Sequence, residues 1–289
     1  MKVRLVAIDL DGTVLRGNGV ISRATRKALA MARRHGAVVC VATGRAPLGA
    51  RNYARILRAH GPLICLDGAL AFAGTRTLVD RPIAHDQAVA AARVAADLGG
   101  GWIALTLEGR VHGGPSRRPP QASLGQVLRH PGRSLRFLRS VWREAHYFSD
   151  VVPQVPVYKL LLWAPGGAAR ESLERDVRKL DVHIPSGPGS TMEVVAPGVS
   201  KGHALELVAR ELGIDRADVL AFGDARNDVE MLAYAGWGVA MGGAPPELLA
   251  VADAQTAGVQ QDGLARALRR LLHASRPVPP AGRRRHRLP

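Results

Sequence analysis

The sequence predicts an α/β protein, a parallel-sheet core with an α+β segment inserted into it. Three observations carry this. Short aliphatic and β-branched runs recur without polar alternation, the pattern of strands buried on both faces of a sheet. Stretches of helical spacing separate these runs and give strand–helix–strand units. Between roughly Val79 and Ser190 the pattern changes, with mixed strands and Gly/Pro/Arg-rich connections, before the strand–helix alternation returns near Leu205.

The first strand runs from Val3 to Ile8. A helix follows over Ser22–His35, with Ser22 as its cap and Ala24, Ala28, Leu29, Met31 and Ala32 at helical spacing. Ala37–Ala42 reads as the second strand, Ala46–Ala59 as a helix and Pro62–Leu66 as the third strand. After the insertion come a helix from Leu205 to Leu212, a strand over Val219–Phe222, a helix around Val229–Ala235 and a short strand over Trp237–Met241. Within the insertion, helices are expected over Asp86–Leu98 and Ala168–Lys179, and strands over Trp102–Glu108 and Val157–Trp163. The connection Gly113–Gln121 reads as loop. The division that results is core over 1–79, inserted domain over 80–190, returning core over 191–275 and a tail over 276–289. No internal repeat is present.

Composition narrows the class. The chain has 289 residues, 47% of them hydrophobic, enough for a large core. No apolar run approaches the ~18 residues of a membrane helix, and Asp9 interrupts the first apolar stretch before it could serve as a signal-peptide core. The expectation is a cytoplasmic protein with no membrane partner. Cys40 and Cys65 lie inside strand-like runs and are expected as small buried thiols. The net charge of +16 is uneven, because Arg110, Arg117, Arg118, Arg129, Arg133, Arg136, Arg139 and Arg143 all precede Glu144. Arg276, Arg283, Arg284, Arg285 and Arg287 crowd the end, where the Pro/Gly/Arg-rich tail reads as disordered. These arginines read as a solvated face. Few aromatics are interleaved with them and no nucleic-acid motif is present, so nucleic acid is not the expected partner.

Chemistry gathers where strands end. The first strand runs into Asp9-Leu10-Asp11-Gly12-Thr13, and ligands of open α/β sheets sit outside the carboxyl ends of strands. Two carboxylates two residues apart repel unless a cation offsets them. Hard oxygen donors suit Mg²⁺, and one carboxylate can then serve as a nucleophile toward a phosphoryl group. The alternative is a simple turn, with Gly12 supplying positive φ and Thr13 capping the next segment.

Three further features lie at strand ends or before a helix: Thr43-Gly44-Arg45, Ser200-Lys201-Gly202 and Gly223-Asp224-Ala225-Arg226-Asn227-Asp228. With DLDGTVL and FGDARNDVEML in this order, the chain resembles the haloacid dehalogenase superfamily over most of residues 1 to 275. Within it the resemblance is to the Cof-type phosphatases, which insert a large α+β cap into a Rossmann-like core.

The resemblance implies an aspartyl-phosphate mechanism. Asp9 would be the nucleophile and Asp11 the general acid and base. Mg²⁺ would be held by Asp9, the backbone carbonyl of Asp11 and Asp224, with Asp228 supporting its water shell. Thr43, the Gly44 amide at the start of a helix, Lys201 as a mobile point charge, and Asn227 would bind the phosphoryl group or position one another. Taken singly, Thr43 reads equally as a helix cap, Lys201 as a surface lysine and Asn227 as a turn residue. Arg45 would contact substrate or pair with a nearby acid, and Arg226 would be solvated. Two positions depart from the family pattern. Asp67-Gly68-Ala69 stands where Asn-Gly-Ala is usual, and Met241-Gly242-Gly243 where Met-Gly-Asn is frequent. Asp67 would face a cationic or hydroxyl-bearing leaving group.

The implied function is Mg²⁺-dependent hydrolysis of a small phosphorylated metabolite, a sugar phosphate or similar, with the cap closing over the leaving group. A phosphomutase on the same core is the alternative, and a basic nucleic-acid-binding protein on a vestigial core is a further one.

Overall fold

The computed structural model describes residues 2–17, 19–107, 109–116, 146–185, 191–273 and 286–287. The chain forms two compact units, one made of Met1–Val79 and Ser200–Pro289 and the other of Asp80–Val199.

The first unit opens with β1 (Leu5–Ile8), α1 (Arg23–Arg34), β2 (Val38–Ala42), α2 (Pro47–Leu57), β3 (Leu63–Cys65), β4 (Leu70–Ala73) and β5 (Arg76–Asp80). Local chemistry sets the helix ends. The Ser22 hydroxyl accepts from the Thr25 amide at 3.0 Å, and Arg33 and Arg34 sit where the helix dipole favours cations. Helix α2 begins on Pro47, whose missing N–H costs nothing in a first turn.

The second unit contains α3 (His85–Asp97), β6 (Gly101–Leu105), β7 (Arg110–Gly113), β8 (His146–Phe148), β9 (Lys159–Trp163), α4 (Gly167–Val177) and β10 (Met192–Val194). Its sheet has the order β10-β9-β6-β7-β8 and is antiparallel except between β7 and β8. Helix α3 packs on β6 and β9, with α4 beside it. The strand expected over 102–108 stops at Leu105, because Thr106 and Gly109 form a turn in which the Gly109 amide donates to the Thr106 hydroxyl at 3.1 Å. Strand β7 was not anticipated, since Gly113 read as the start of a loop. Gly113 is nonetheless needed, because a Cβ there would lie 2.1 Å from the Trp102 ring opposite. Strand β10 pairs with β9, so residues 191–199, assigned from sequence to the returning core, lie with this unit. Of the arginine cluster, Arg110 begins β7, while Arg117, Arg118, Arg129, Arg133, Arg136, Arg139 and Arg143 lie outside the described residues.

The chain then returns to the first unit through α5 (Lys201–Glu211), β11 (Val219–Gly223), α6 (Val229–Tyr234), β12 (Trp237–Ala240), α7 (Pro246–Val251), β13 (Ala254–Gln255), α8 (Gly263–His273) and β14 (His286–Arg287). Its sheet has the order β14-β13-β12-β11-β1-β2-β3-β4-β5. Strand β1 pairs in parallel with β2 on one side and β11 on the other. The chain steps outward from β1 through β2 to β3, then later from β11 through β12 to β13, so the loops after β1 and β11 diverge at a switch of direction. Leu5 and Ala7 of β1 join Ala221, Ala204, Leu205, Val208, Met231 and Leu232 in one buried cluster under α5 and α6. Val6, Ile8 and Phe222, alternate residues of the same strands, are also fully buried, and α1 packs against α8. Helix α5 begins four residues earlier than expected, on Lys201 itself. At the tail, His286 and Arg287 pair with Ala254 and Gln255, which departs from the disorder expected there; the remaining tail residues lie outside the described residues.

Cys40 and Cys65 are free, buried thiols, and burial pushes the Cys65 thiol up to about 12. No helix among the described residues is long and apolar enough to cross a membrane. Phe222→Ala, which empties a fully enclosed aromatic site, should cost about 3–5 kcal/mol. Urea unfolding should show this as a lower midpoint at unchanged slope.

Candidate active site

Four loops at the carboxyl ends of β1, β2, β3 and β11 belong to neighbouring strands of the first unit, and the start of α5 joins them. Asp9 extends β1 by one residue, its amide donating to the Phe222 carbonyl at 3.0 Å. Its side chain is buried, the residue being 5% exposed. Lys201, the first residue of α5, is buried at 1% exposure, and its ammonium donates to Asp9 Oδ1 and to Asp228 Oδ1, each at 2.7 Å. The lysine expected as a mobile charge is therefore held in place. Ser200 caps the helix, its hydroxyl accepting from the His203 amide at 3.1 Å.

Asp228 is fully enclosed. Its second oxygen, Oδ2, accepts from the amides of Asp224 and Ala225 at 2.9 and 3.1 Å, so one carboxylate ties the loop after β11 to Lys201. Gly223 allows this fold-back, since a Cβ there would meet Asp228 Cβ at 2.5 Å. Asp224 accepts at Oδ1 from the Thr13 hydroxyl at 3.0 Å. Gly12 has φ +85°, and a Cβ on it would lie 1.9 Å from Asp224 Oδ2. Thr13 and Gly12 thus bring the loops after β1 and β11 together. Sequence reasoning read them as turn residues and missed this contact; a hydroxyl and a glycine directly after the acidic pair were the available signal.

Asp11 points elsewhere. Both its oxygens accept from Arg45, Oδ2 from Nε and Oδ1 from Nη2, each at 2.6 Å. The Arg45 guanidinium lies 4.9 Å from the centroid of the Tyr53 ring, a distance at which a cation is attracted to the ring face. Burial lowers the Arg45 pKa, but the hydrogen bonds and charge of Asp11 outweigh it and leave it above the ordinary value. Thr43 directly follows β2, and its hydroxyl accepts from the Arg45 amide at 3.3 Å. Gly44 was expected at a helix start. It lies three residues ahead of Pro47 because the residue before a proline is held extended, as Ala46 is at φ −65° and ψ 157°.

Asp67, expected to face substrate, is fully buried, and its Oδ1 accepts from Asn227 Nδ2 at 2.8 Å. Arg226 is paired at the surface with Glu247 at 2.5 Å. Gly243 takes φ +91° in open space after β12.

Oxygens of Asp9, Asp224 and Asp228 lie within 4.8 Å of one another, while the Asp11 carboxylate, paired with Arg45, is not among them. One ammonium faces three carboxylates. Like charges about 4 Å apart cost about 4 kcal/mol at an effective dielectric of about 20, so the excess charge must be neutralised by protons or by a cation. Proton affinities in the cluster shift accordingly. Burial raises Asp9 well above the carboxylate range; Lys201 pulls it down, and Asp228 and Asp224 push it up. Burial, then Asp228, raises Asp224 to about 6. Burial disfavours the Lys201 ammonium, but Asp228 and Asp9 outweigh it and hold the group charged. An all-oxygen set with surplus negative charge is what a small hard divalent cation requires.

Comparison with known proteins places the chain in a family. The sequence profile of the haloacid dehalogenase-like hydrolases matches residues 6–268. A 5-amino-6-(5-phospho-D-ribitylamino)uracil phosphatase of Bacillus subtilis is 28% identical over 92% of this chain and 95% of its own. An HMP-PP phosphatase of Cronobacter sakazakii is 31% identical over 86% and 87%. A phosphoglycolate phosphatase of Methanothermobacter thermautotrophicus is 29% identical over 93% and 99%. The solved structure of a sugar phosphatase of subclass IIB superposes with a TM-score of 0.77 at 23% identity, covering 93% of this chain and 99% of that one, which shows the shared fold. The chain belongs to the haloacid dehalogenase-like hydrolases. It is a phosphoric monoester hydrolase of that family.

The raised Asp224 sets a pH dependence. An aspartate shifted from 3.8 to about 6 holds a proton in the folded state that the unfolded chain has lost. Its stability contribution is therefore full below about pH 4 and lost as pH rises to about 6. Urea midpoints measured in EDTA should fall across that window, and Asp224→Asn should flatten the fall.

Proposed function

We propose that this hydrolase is a Mg²⁺-dependent phosphatase acting on a small phosphorylated metabolite, a sugar phosphate or similar, through an aspartyl phosphate on Asp9. The observation that supports this most directly is the buried Asp9 carboxylate at the end of β1, one oxygen held by Lys201 at 2.7 Å. Holding one oxygen orients the other for in-line attack on phosphorus.

In the first displacement a bond forms between Asp9 and phosphorus and the ester oxygen departs, taking a proton from Asp11. In the second, Asp11 removes a proton from water, which attacks phosphorus and releases Asp9 and inorganic phosphate. Asp11 can serve both steps because the proton it gives first is replaced by the one it takes from water. Its pair with Arg45 must open for this, and the freed guanidinium is then available to an anionic or hydroxyl group of the substrate. The Thr43 hydroxyl, the Gly44 amide and the Asn227 carboxamide donate to phosphoryl oxygens, while Lys201 offsets their charge. Asp9, the Asp11 carbonyl and Asp224 would hold Mg²⁺, with Asp228 supporting them. When bound, the ion neutralises charge on the phosphoryl group. The substrates named for these relatives share only a phosphate on a small molecule, which is why the class is drawn this broadly.

Phosphate release from p-nitrophenyl phosphate and a panel of phosphorylated metabolites, with Mg²⁺ or EDTA, tests the proposal. Turnover should require the metal and fall by about 10³-fold or more in Asp9→Asn, with the fold intact by circular dichroism. Undiminished release by that variant would remove Asp9 as nucleophile. Asp224→Asn should raise the Mg²⁺ concentration for half-maximal activity by about tenfold or more. An unchanged requirement would remove Asp224 from the metal site.

A further inference from the structure

Among the described residues of the first unit, the turn after β3 holds the one run of consecutive positive-φ residues that includes non-glycine positions. Leu66, Asp67 and Gly68 have consecutive φ values of +49°, +57° and +102°. A left-handed conformation is ordinary for glycine but unfavourable for leucine, and such strain persists only where the surroundings over-determine it. Here they do. The Leu66 amide donates to the Arg45 carbonyl at 3.1 Å and the Asp67 amide to the Thr43 carbonyl at 3.3 Å. Gly68 sits against the start of α5, where a Cβ would lie 2.2 Å from the Ser200 carbonyl oxygen. The turn is clamped between the Thr43 loop and the helix that carries Lys201.

What the strained turn delivers is a fully enclosed carboxylate hydrogen-bonded to Asn227 Nδ2 at 2.8 Å. A carboxylate can only accept, whereas a carboxamide can present either its oxygen or its NH₂ to a neighbour. With an acceptor fixed at position 67, the Asn227 amide must turn its NH₂ toward it. One N–H then engages Asp67, and the other remains in the plane of the amide as a donor for an anion. An amide at position 67 would remove this constraint, because two facing carboxamides can pair with either one donating. Asn227 could then offer its oxygen to an incoming phosphoryl group, which repels it. The Asp67 charge also favours the Lys201 ammonium.

We propose that Asp67 is a positioning residue for phosphoryl binding, an acceptor-only side chain that locks the Asn227 carboxamide with its NH₂ toward the anion site. The proposal rests on the phosphoryl-binding role given to Asn227 above. It differs from a substrate contact, since Asp67 acts through Asn227 and does not need to touch the ligand.

A double-mutant cycle tests it, with inorganic phosphate binding by calorimetry and p-nitrophenyl phosphate kinetics as readouts. The proteins are wild type, Asp67→Asn, Asn227→Ala and the double variant, all in Mg²⁺. Asp67→Asn should weaken phosphate binding by about tenfold and raise KM with it, the scale of one hydrogen bond to a charged group. In the Asn227→Ala background the same substitution should add less than about twofold. Additive losses, or undiminished phosphate affinity in Asp67→Asn, would overturn the proposal. Asp67→Gly suits the positive φ and should weaken phosphate in the same direction; it keeps the test decisive if Asp67→Asn fails to fold. The two readings fail separately. If wild type binds phosphate with this coupling yet releases none from any ester, the phosphatase proposal falls and this one stands. Metal-dependent turnover with no coupling gives the reverse.

Discussion

The buried ammonium of Lys201 is the interaction on which the site depends. It lies between two carboxylates from opposite ends of the first unit's sequence, Asp9 and Asp228, at 2.7 Å from each. Stripping an ammonium and two carboxylates of water costs several kcal/mol per ion, and only close geometry with further hydrogen bonds offsets it. Those further bonds are present, because Asp228 also accepts two backbone amides. The triad welds the end of β1, the start of α5 and the loop after β11 into one rigid element. Removing the lysine would leave buried acids facing each other, so the residue proposed to serve the phosphoryl group also keeps the loops together.

The fold makes this triad possible by topology. Strand β1 sits in the middle of the sheet, and the chain leaves it in one direction toward β3 and returns on the other side through β11. Residues about 200 positions apart therefore end on adjacent strands, at the switch where loops diverge and a cleft forms. Glycines at the edge let these loops approach. Gly12 admits the Asp224 carboxylate and Gly223 admits Asp228, each at a separation no side chain would tolerate. Close approach of acids raises their proton affinity, and the same crowding prepares a site for a divalent cation. Repulsion among Asp9, Asp224 and Asp228 is a cost that a bound cation would relieve.

Much of this was legible in the sequence, and the reasons differ by residue. The apolar runs around β1, β2 and β11 and the acidic or glycine-rich turns after them are local features, so strand ends could be read directly. Pairings across the chain could not. Nothing around Lys201 in sequence announces that it is buried, because its partners lie 192 and 27 residues away. The contact of Thr13 with Asp224 is invisible for the same reason, whereas pairing of Arg45 with a nearby acid was one of its two expected roles, with the partner Asp11 left unnamed. Strand β7 was hidden by its own glycine, which reads as a breaker until the Trp102 ring beside it shows why no larger residue fits. Strand β10 was not anticipated, because three residues carry too little periodicity to reveal a strand or the sheet it joins.

The acids of the site divide by what their surroundings allow. Asp9, Asp224 and Asp228 crowd together and share one ammonium, which leaves surplus negative charge of the kind a cation offsets. Asp11 stands apart, exposed and neutralised by an arginine that rests over Tyr53. A carboxylate outside the crowded group is placed to exchange protons without disturbing the acids that would hold a metal. Under the proposed mechanism, that separation in space becomes a separation of tasks, with charge stabilisation at the buried end and proton transfer at the open one. Asp67 belongs to neither set. Its carboxylate faces an amide, and in that setting its effect is directional: it decides which way the NH₂ of Asn227 points. Five aspartates in one site are compatible with binding an anion because each is compensated differently, by lysine, hydroxyl, backbone amide, arginine or carboxamide.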